Sequence, residues 1–246
     1  EHAAFRGPII SPAMSLLAVV IGNTNVKLGL FRGARLARSW RVSSHPLPTP
    51  DEVALQLAGL LGTLRRSVRE VAIASVVPPL EEAYRSCAQA LFRCAPLRID
   101  HAARLGFTVG YEPPADVGAD RLVNAAAALE RRGAPVAVVD FGTAVTLDVV
   151  SRRRVYLGGA IAPGIEMAAE ALFRRTTKLP LVVPAAPASA IGRSTKDSMR
   201  AGLVLGAAAL VDGLLQRVFD EFGERVPVVA TGGTAPVVVP HCRLVR

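Results

Sequence analysis

Val136-Ala-Val-Val-Asp140-Phe-Gly142-Thr143-Ala-Val-Thr146-Leu-Asp-Val-Val150 is the stretch whose reading decides the fold. An apolar run enters, a glycine and a hydroxyl break it, and a β-branched run leaves, which predicts a hairpin with a tight, backbone-exposing turn. Asp140 stands at the mouth of that turn, with hydroxyls at Thr143 and Thr146. A carboxylate at a strand end, beside a glycine that lets the chain approach closely, suits a hydrated cation and the phosphates it carries. A single turn of this kind is an ordinary hairpin with a solvated aspartate, but the chain contains it twice. Leu16 to Phe31 reads Leu-Leu-Ala-Val-Val-Ile-Gly-Asn-Thr-Asn-Val-Lys-Leu-Gly-Leu-Phe, and aligning Gly22 with Gly142 sets Asn23 and Thr24 opposite Thr143 and Ala144. Two such units predict two halves built alike, facing each other across a cleft in which each turn grips part of one phosphate chain. One position breaks the correspondence: opposite Asp140 stands Val20.

The 246 residues are enough for one large or two small domains, and 51% hydrophobic with 20% charged residues is an ordinary soluble, globular composition. Net charge is +9, yet all but three of the 29 basic residues are arginines scattered singly or in short groups. With only 5% aromatic residues, this is not the clustered and aromatic-interleaved footprint of a nucleic-acid binder. Affinity for anionic ligands, nucleotides included, is the inference the charge supports. Cys87, Cys94 and Cys242 form no CxxC pair and no zinc-ligand spacing, as expected of buried thiols in a reducing compartment. The apolar run at Leu16 to Ile21 is too short to span a bilayer, so the expectation is a cytoplasmic protein with no membrane partner. Residues 1–13 carry no periodicity and read as an expression remnant or disordered extension ahead of Met14.

Onward from the first hairpin, a third strand is expected at Arg35 to Val42 and a proline-rich loop at Ser43 to Pro50. Thr49-Pro-Asp-Glu52 is a capping box opening a helix to about Arg66. A buried strand at Glu70 to Val77, a helix from Pro78 to about Phe92 and a short strand at Leu97 to Asp100 complete a β-β-β-α-β-α-β half. The long apolar segment from Ser194 to Phe222 predicts a helix supplying core and dimer contacts together. The domain boundary is expected near Pro114, with an N-terminal domain over 14–114 and a C-terminal domain over 115–246.

A second chemical signal lies at Tyr111-Glu-Pro-Pro-Ala-Asp-Val-Gly118-Ala-Asp120-Arg121, directly before an alanine-rich helix. Gly118, Asp120 and Arg121 fall in or beside its first turn. An acid there is favoured by the helix macrodipole alone, and Arg121 then merely pairs with an acid; the functional reading makes Asp120 a base and Arg121 a clamp for a substrate carboxylate. Asp140-Phe-Gly142 also occurs in protein kinases, but no HRD-type loop accompanies it. His45 and His101 lie in loops without a nucleophile, and Glu166 and Glu170 read as solvated helix carboxylates.

The ordered set Gly22-Asn23-Thr24, Tyr111 with Gly118-x-Asp120-Arg121, Asp140-Phe-Gly142-Thr143-Ala-x-Thr146, Gly158-Gly159-x-Ile161-x-Pro163-Gly164, Gly192-x-x-Thr195 and Thr231-Gly232-Gly233 resembles the type III pantothenate kinases. The resemblance implies the acetate and sugar kinase, Hsp70 and actin superfold: an α/β chain of two similar ribonuclease-H-like domains with a nucleotide cleft between them, usually as a homodimer. It implies ATP as phosphoryl donor, Mg2+ and a monovalent cation, K+ or NH4+, and pantothenate as acceptor in the first step toward coenzyme A. By the same resemblance Asp120 is the general base, and Tyr111, Gly118, Arg121 and Thr195 bind the substrate, Thr195 from the partner subunit. Gly22, Asn23, Thr24, Lys27, Gly142, Thr143, Gly232 and Gly233 bind ATP, and Asp140 organises the cation. The family's first motif opens with an aspartate where this chain has Val20, which leaves a second reading: a catalytically weak or inactive homologue with a regulatory or binding role, similar to Bvg accessory factors. A sugar or acyl kinase of the same superfold is a third.

Overall fold

A computed structural model describes residues 15–245 and resolves the chain into two compact units. One comprises 15–106 and 112–123, the other 107–111 and the chain from 124 onward, so the two are interleaved around residues 107–123. The expected extension at 1–13 lies outside the described residues.

In the first unit the strands β1 (Ser15–Ile21), β2 (Asn25–Arg32), β3 (Arg35–Ser43), β4 (Val68–Ser75) and β5 (Leu97–Ile99) form one sheet in the order β3-β2-β1-β4-β5. The first three are antiparallel; β4 and β5 run parallel to β1. Period-two patterning sets the register: Leu17, Val19 and Ile21 point into the core, and Leu16, Ala18 and Val20 to the other face. Helices α1 (Pro50–Leu61) and α2 (Pro78–Phe92) cover the core face with Val53, Leu57 and Leu61 and with Leu80, Tyr84 and Cys87. The capping box at the start of α1 forms, Thr49 Oγ1 accepting from Glu52 N and the Glu52 carboxylate accepting from Thr49 N at 2.7 Å. The helix stops earlier than expected. Gly62 takes φ +49°, and 62–67 tightens into 3-10 geometry before β4.

Strands β6 (Thr108–Val109), β7 (Val136–Phe141), β8 (Ala144–Val150), β9 (Val155–Pro163) and β10 (Val228–Thr231) build the second sheet in the order β10-β7-β8-β9-β6. The run β9-β8-β7-β10 repeats β3-β2-β1-β4 strand for strand, with the same antiparallel and parallel senses. The two-residue β6 had no sequence signal. Helix α3 (Ala119–Arg132) precedes β7, and α4 (Ile165–Arg175) and α5 (Thr195–Phe222) lie between β9 and β10. Ala208, Val211, Leu215 and Phe219 of α5 pack on Ala137, Val139, Phe141, Val145 and Leu147. Among the described residues α5 is the one helix long and apolar enough to cross a membrane; its seat against the sheet is another account of the same composition.

Candidate functional site

The second turn is closed by the Phe141 and Val145 pair, with Gly142 N donating to Ala144 O at 3.1 Å. Thr234 donates to the Phe141 carbonyl from both its N–H, at 3.1 Å, and its hydroxyl, at 3.0 Å, which ties the segment after β10 to the turn. Gly164 N bonds Thr143 O, and a Cβ at Gly164 would run into the carbonyls of Gly142 and Thr143, so only glycine seats the end of β9 there. Asp140 lies one residue before Phe141, directly across from Thr146 on β8 and from Thr231 on β10. Partners in register share a face, so Thr231, Asp140 and Thr146 form a polar row across three strands.

Asp140 Oδ2 accepts from Asn124 Nδ2 at 2.8 Å. Its Oδ1 is buried without a hydrogen-bond partner. Gly232, at φ +107°, passes so close that a Cβ would sit 2.5 Å from that oxygen and from the Phe141 backbone. A buried carboxylate oxygen with no donor is costly, and a cation or a donor from a ligand removes the cost. The residues present therefore fit a bound cation. Among the described residues no three His, Cys, Asp or Glu side chains cluster as a conventional metal site.

The first turn repeats the plan with one more residue. Its closing pair is Ile21 with Val26, Gly22 N donates to Asn25 O at 3.0 Å, and Ser44 holds the longer loop through Oγ to Gly22 O at 2.7 Å and N to Thr24 O at 3.0 Å. The extra residue corrects the gapless alignment of the two turns: Lys27, not Val26, takes the place of Thr146. The row equivalent to Thr231, Asp140 and Thr146 is thus Ala74, Val20 and Lys27, extended by Arg41 on β3. It holds no carboxylate. Asn23, Thr24 and Lys27 are exposed.

Asp120 and Arg121 occupy the first turn of α3. The Asp120 carboxylate accepts from Arg121 N at 2.8 Å and lies back over Gly118, where a Cβ would come within 2.6 Å of it. The glycine of this motif is therefore a steric requirement of the aspartate. Arg121 is only 6% exposed. In the second unit, Tyr111 packs against Tyr156 with ring centroids 6.5 Å apart. Thr195 opens α5, exposed, after Ser194, whose hydroxyl caps the helix by accepting from Asp197 N. A cavity of about 500 Å3 lies beside it, lined in part by Ile191, Gly192, Arg193, Asp197 and Arg200. Sequence reasoning missed Asn124 as the partner of Asp140; its position four residues after Asp120 was the available signal.

A strand order repeated in two units, with a glycine turn at the equivalent place in each, is the α/β architecture of two similar halves that the sequence predicts. The ethanolamine utilization protein EutJ from Carboxydothermus hydrogenoformans superposes over 93% of this chain and 80% of its own, with a TM-score of 0.52 at 15% identity, a likeness of fold alone. The family profile described as type III pantothenate kinase matches residues 16–217. The type III pantothenate kinase of Thermomicrobium roseum is 47% identical over 92% of this chain and 88% of its own length. That of Myxococcus xanthus is 45% identical over 94% and 91%. The chain belongs to the type III pantothenate kinase family.

Proposed function

We propose that this chain transfers the γ-phosphoryl group of ATP to the primary hydroxyl of pantothenate, giving 4'-phosphopantothenate for coenzyme A synthesis. The observation that carries the chemistry is Asp140, with one carboxylate oxygen held by Asn124 and the other buried without a donor beside Gly232. A magnesium ion or a monovalent cation, K+ or NH4+, would be held at Asp140, where it supplies charge neutralisation for the phosphates. Gly22, Asn23, Thr24 and Lys27 in the first unit, and Gly142, Thr143, Gly232 and Gly233 in the second, are the nucleotide contacts. Lys27 and the turn amides donate to phosphate oxygens, and the glycines let the backbone come close. Asp120 takes the hydroxyl proton, Arg121 and Gly118 hold the carboxylate end of pantothenate, and Tyr111 packs against the substrate. Phosphoryl transfer depends mainly on positioning and charge, so these residues act by placement rather than by covalent chemistry.

The active form is a homodimer in which Thr195 serves the partner's pantothenate site. Ile161 at 63% exposure, Val183 at 76% and Ile191 at 79%, with Phe173 on α4, are exposed large apolar side chains of the second unit that a second copy would cover. The compartment is the cytoplasm, with no nucleic-acid or membrane partner. The row at Val20, which carries Lys27 and Arg41 and no acid, favours one further reading, that nucleotide binds but turnover is slow, as in a regulatory homologue. A coupled ADP-release assay tests both: pantothenate-dependent ADP release that requires a divalent cation supports the kinase, and nucleotide binding without it supports the regulatory homologue.

A further inference from the structure

We infer that Asp148 and Tyr156 are positioning residues that fix the orientation of Tyr111. The inference rests on the reading of Tyr111 as a pantothenate contact. Asp148 lies two residues beyond Thr146 on β8, on the same sheet face as Asp140 and Thr146, and is 1% exposed. Its Oδ1 accepts from the Tyr156 hydroxyl at 2.5 Å and its Oδ2 from the Thr146 hydroxyl at 3.3 Å. Apart from Thr146, the other side chains of this strand, from Ala144 to Val150, are aliphatic. A buried acid is tolerated only when its oxygens are hydrogen-bonded, and the same two bonds that satisfy Asp148 hold the donor hydroxyls of Tyr156 and Thr146 in fixed directions.

Tyr156 passes that direction on. Its ring is fully buried and is fixed at the hydroxyl by Asp148. Phe107 stacks on it at 5.9 Å and 27°, and Tyr111 packs at 6.5 Å and 55°. Gly110 N donates to Tyr156 O at 2.9 Å, which anchors the backbone directly before Tyr111 to the same residue. The Tyr111 ring also occupies the space above Gly158, at φ +97°, where a Cβ would come within 2.8 Å of the ring. Tyr111 is thus placed by a glycine and by a tyrosine whose own position is set by Asp148. Thr146, which donates to the same carboxylate, is the cross-strand partner of Asp140, so one acid ties the pantothenate contact to the strand pair carrying the cation residue.

The test is pantothenate affinity, measured calorimetrically on the full chain with a non-hydrolysable ATP analogue present, beside the affinity for the analogue alone. Tyr156→Phe keeps the ring and removes one buried hydrogen bond; pantothenate Kd is expected to rise roughly tenfold and nucleotide Kd to stay within about twofold. Tyr111→Ala raises pantothenate Kd at least as much, and adding Tyr156→Phe to Tyr111→Ala raises it no further, because the hydroxyl acts only through that ring. Asp148→Asn, which keeps an acceptor, is expected to stay closer to the parent than Asp148→Ala; if neither folds, Tyr156→Phe carries the test. Should Tyr111→Ala weaken pantothenate binding while Tyr156→Phe leaves it unchanged, or adds its full factor to the double variant, the positioning role is overturned and the reading of Tyr111 stands. Unchanged affinity in Tyr111→Ala overturns the reading of Tyr111 itself, and the positioning role falls with it.

Discussion

Val20 on β1 faces Lys27 on β2, in the register position where Asp140 on β7 faces Thr146 on β8. The two hairpins are equivalent in sheet order and strand sense, yet one presents a basic residue beside an aliphatic one and the other an acid beside a hydroxyl. On the function proposed above, the second turn takes the cation and the first contacts phosphate oxygens directly.

Restoring the acid is the most informative single change. Val20→Asp is expected to raise pantothenate-dependent turnover by roughly 10², since an organised charge in a phosphoryl-transfer site is worth that much. Val20 is half-buried, so without ligands the variant is expected to lose about 1 to 3 kcal/mol of stability, Lys27 offsetting part of it. ATP with Mg2+ recovers part of the loss by binding the folded state. Parallel melting curves and ADP-release rates check both signs, and equal turnover in parent and variant would remove position 20 from the phosphate site.

Asp120→Asn is expected to lower turnover by roughly 10² or more with nucleotide affinity nearly unchanged, because the amide oxygen still accepts from Arg121 N but the group takes up no proton. Turnover close to the parent's would show that Asp120 is only a helix-start residue.

Gly232→Ala forces a side chain onto a backbone at φ +107° and against Asp140 Oδ1. The expected result is a stability loss of about 1 to 3 kcal/mol together with weaker nucleotide binding. A variant that melts like the parent and binds ATP as well would dissociate Gly232 from the Asp140 site.

Assembly is checked by Ile191→Asp, which places a charge on the most exposed large apolar side chain among the described residues. Sedimentation is expected to show a dimer for the parent and a monomer for the variant, with pantothenate affinity falling along with the dimer if Thr195 serves the partner's pocket. A parent chain that is monomeric at micromolar concentration and still binds pantothenate would overturn the shared-site arrangement.

Alkaline pH is expected to destabilise the fold through two groups. Burial pushes the Cys242 thiol up from 9.0 to about 11 and the Tyr84 hydroxyl from 10.0 to about 12, with Asp212 and Cys87 adding to the respective shifts. The folded state holds these protons more tightly than the unfolded chain, so their contribution is intact below the unfolded values and is lost as pH rises through about 9 to 12. Melting temperature is expected to fall across that range, and less steeply in Cys242→Ala; identical slopes would exclude the thiol.

Periodicity alone determined much of this protein. The alternation in Ser15–Ile21, the capping box at Thr49, the proline start of α2 and the two strand-glycine-strand units were legible because each is a local steric or hydrogen-bonding constraint written in neighbouring residues. The glycine spacing was legible for the same reason, and with it the family. Tertiary structure decided what lies across strands. That the first turn is one residue longer, so that Lys27 rather than Val26 stands opposite Val20, depends on hydrogen bonds from Ser44, more than twenty residues away in sequence. That Asn124 holds one oxygen of Asp140 while Gly232 crowds the other depends on α3 and β10 meeting at β7. Pairing register and burial are set by packing between distant segments, and no spacing within a segment encodes them.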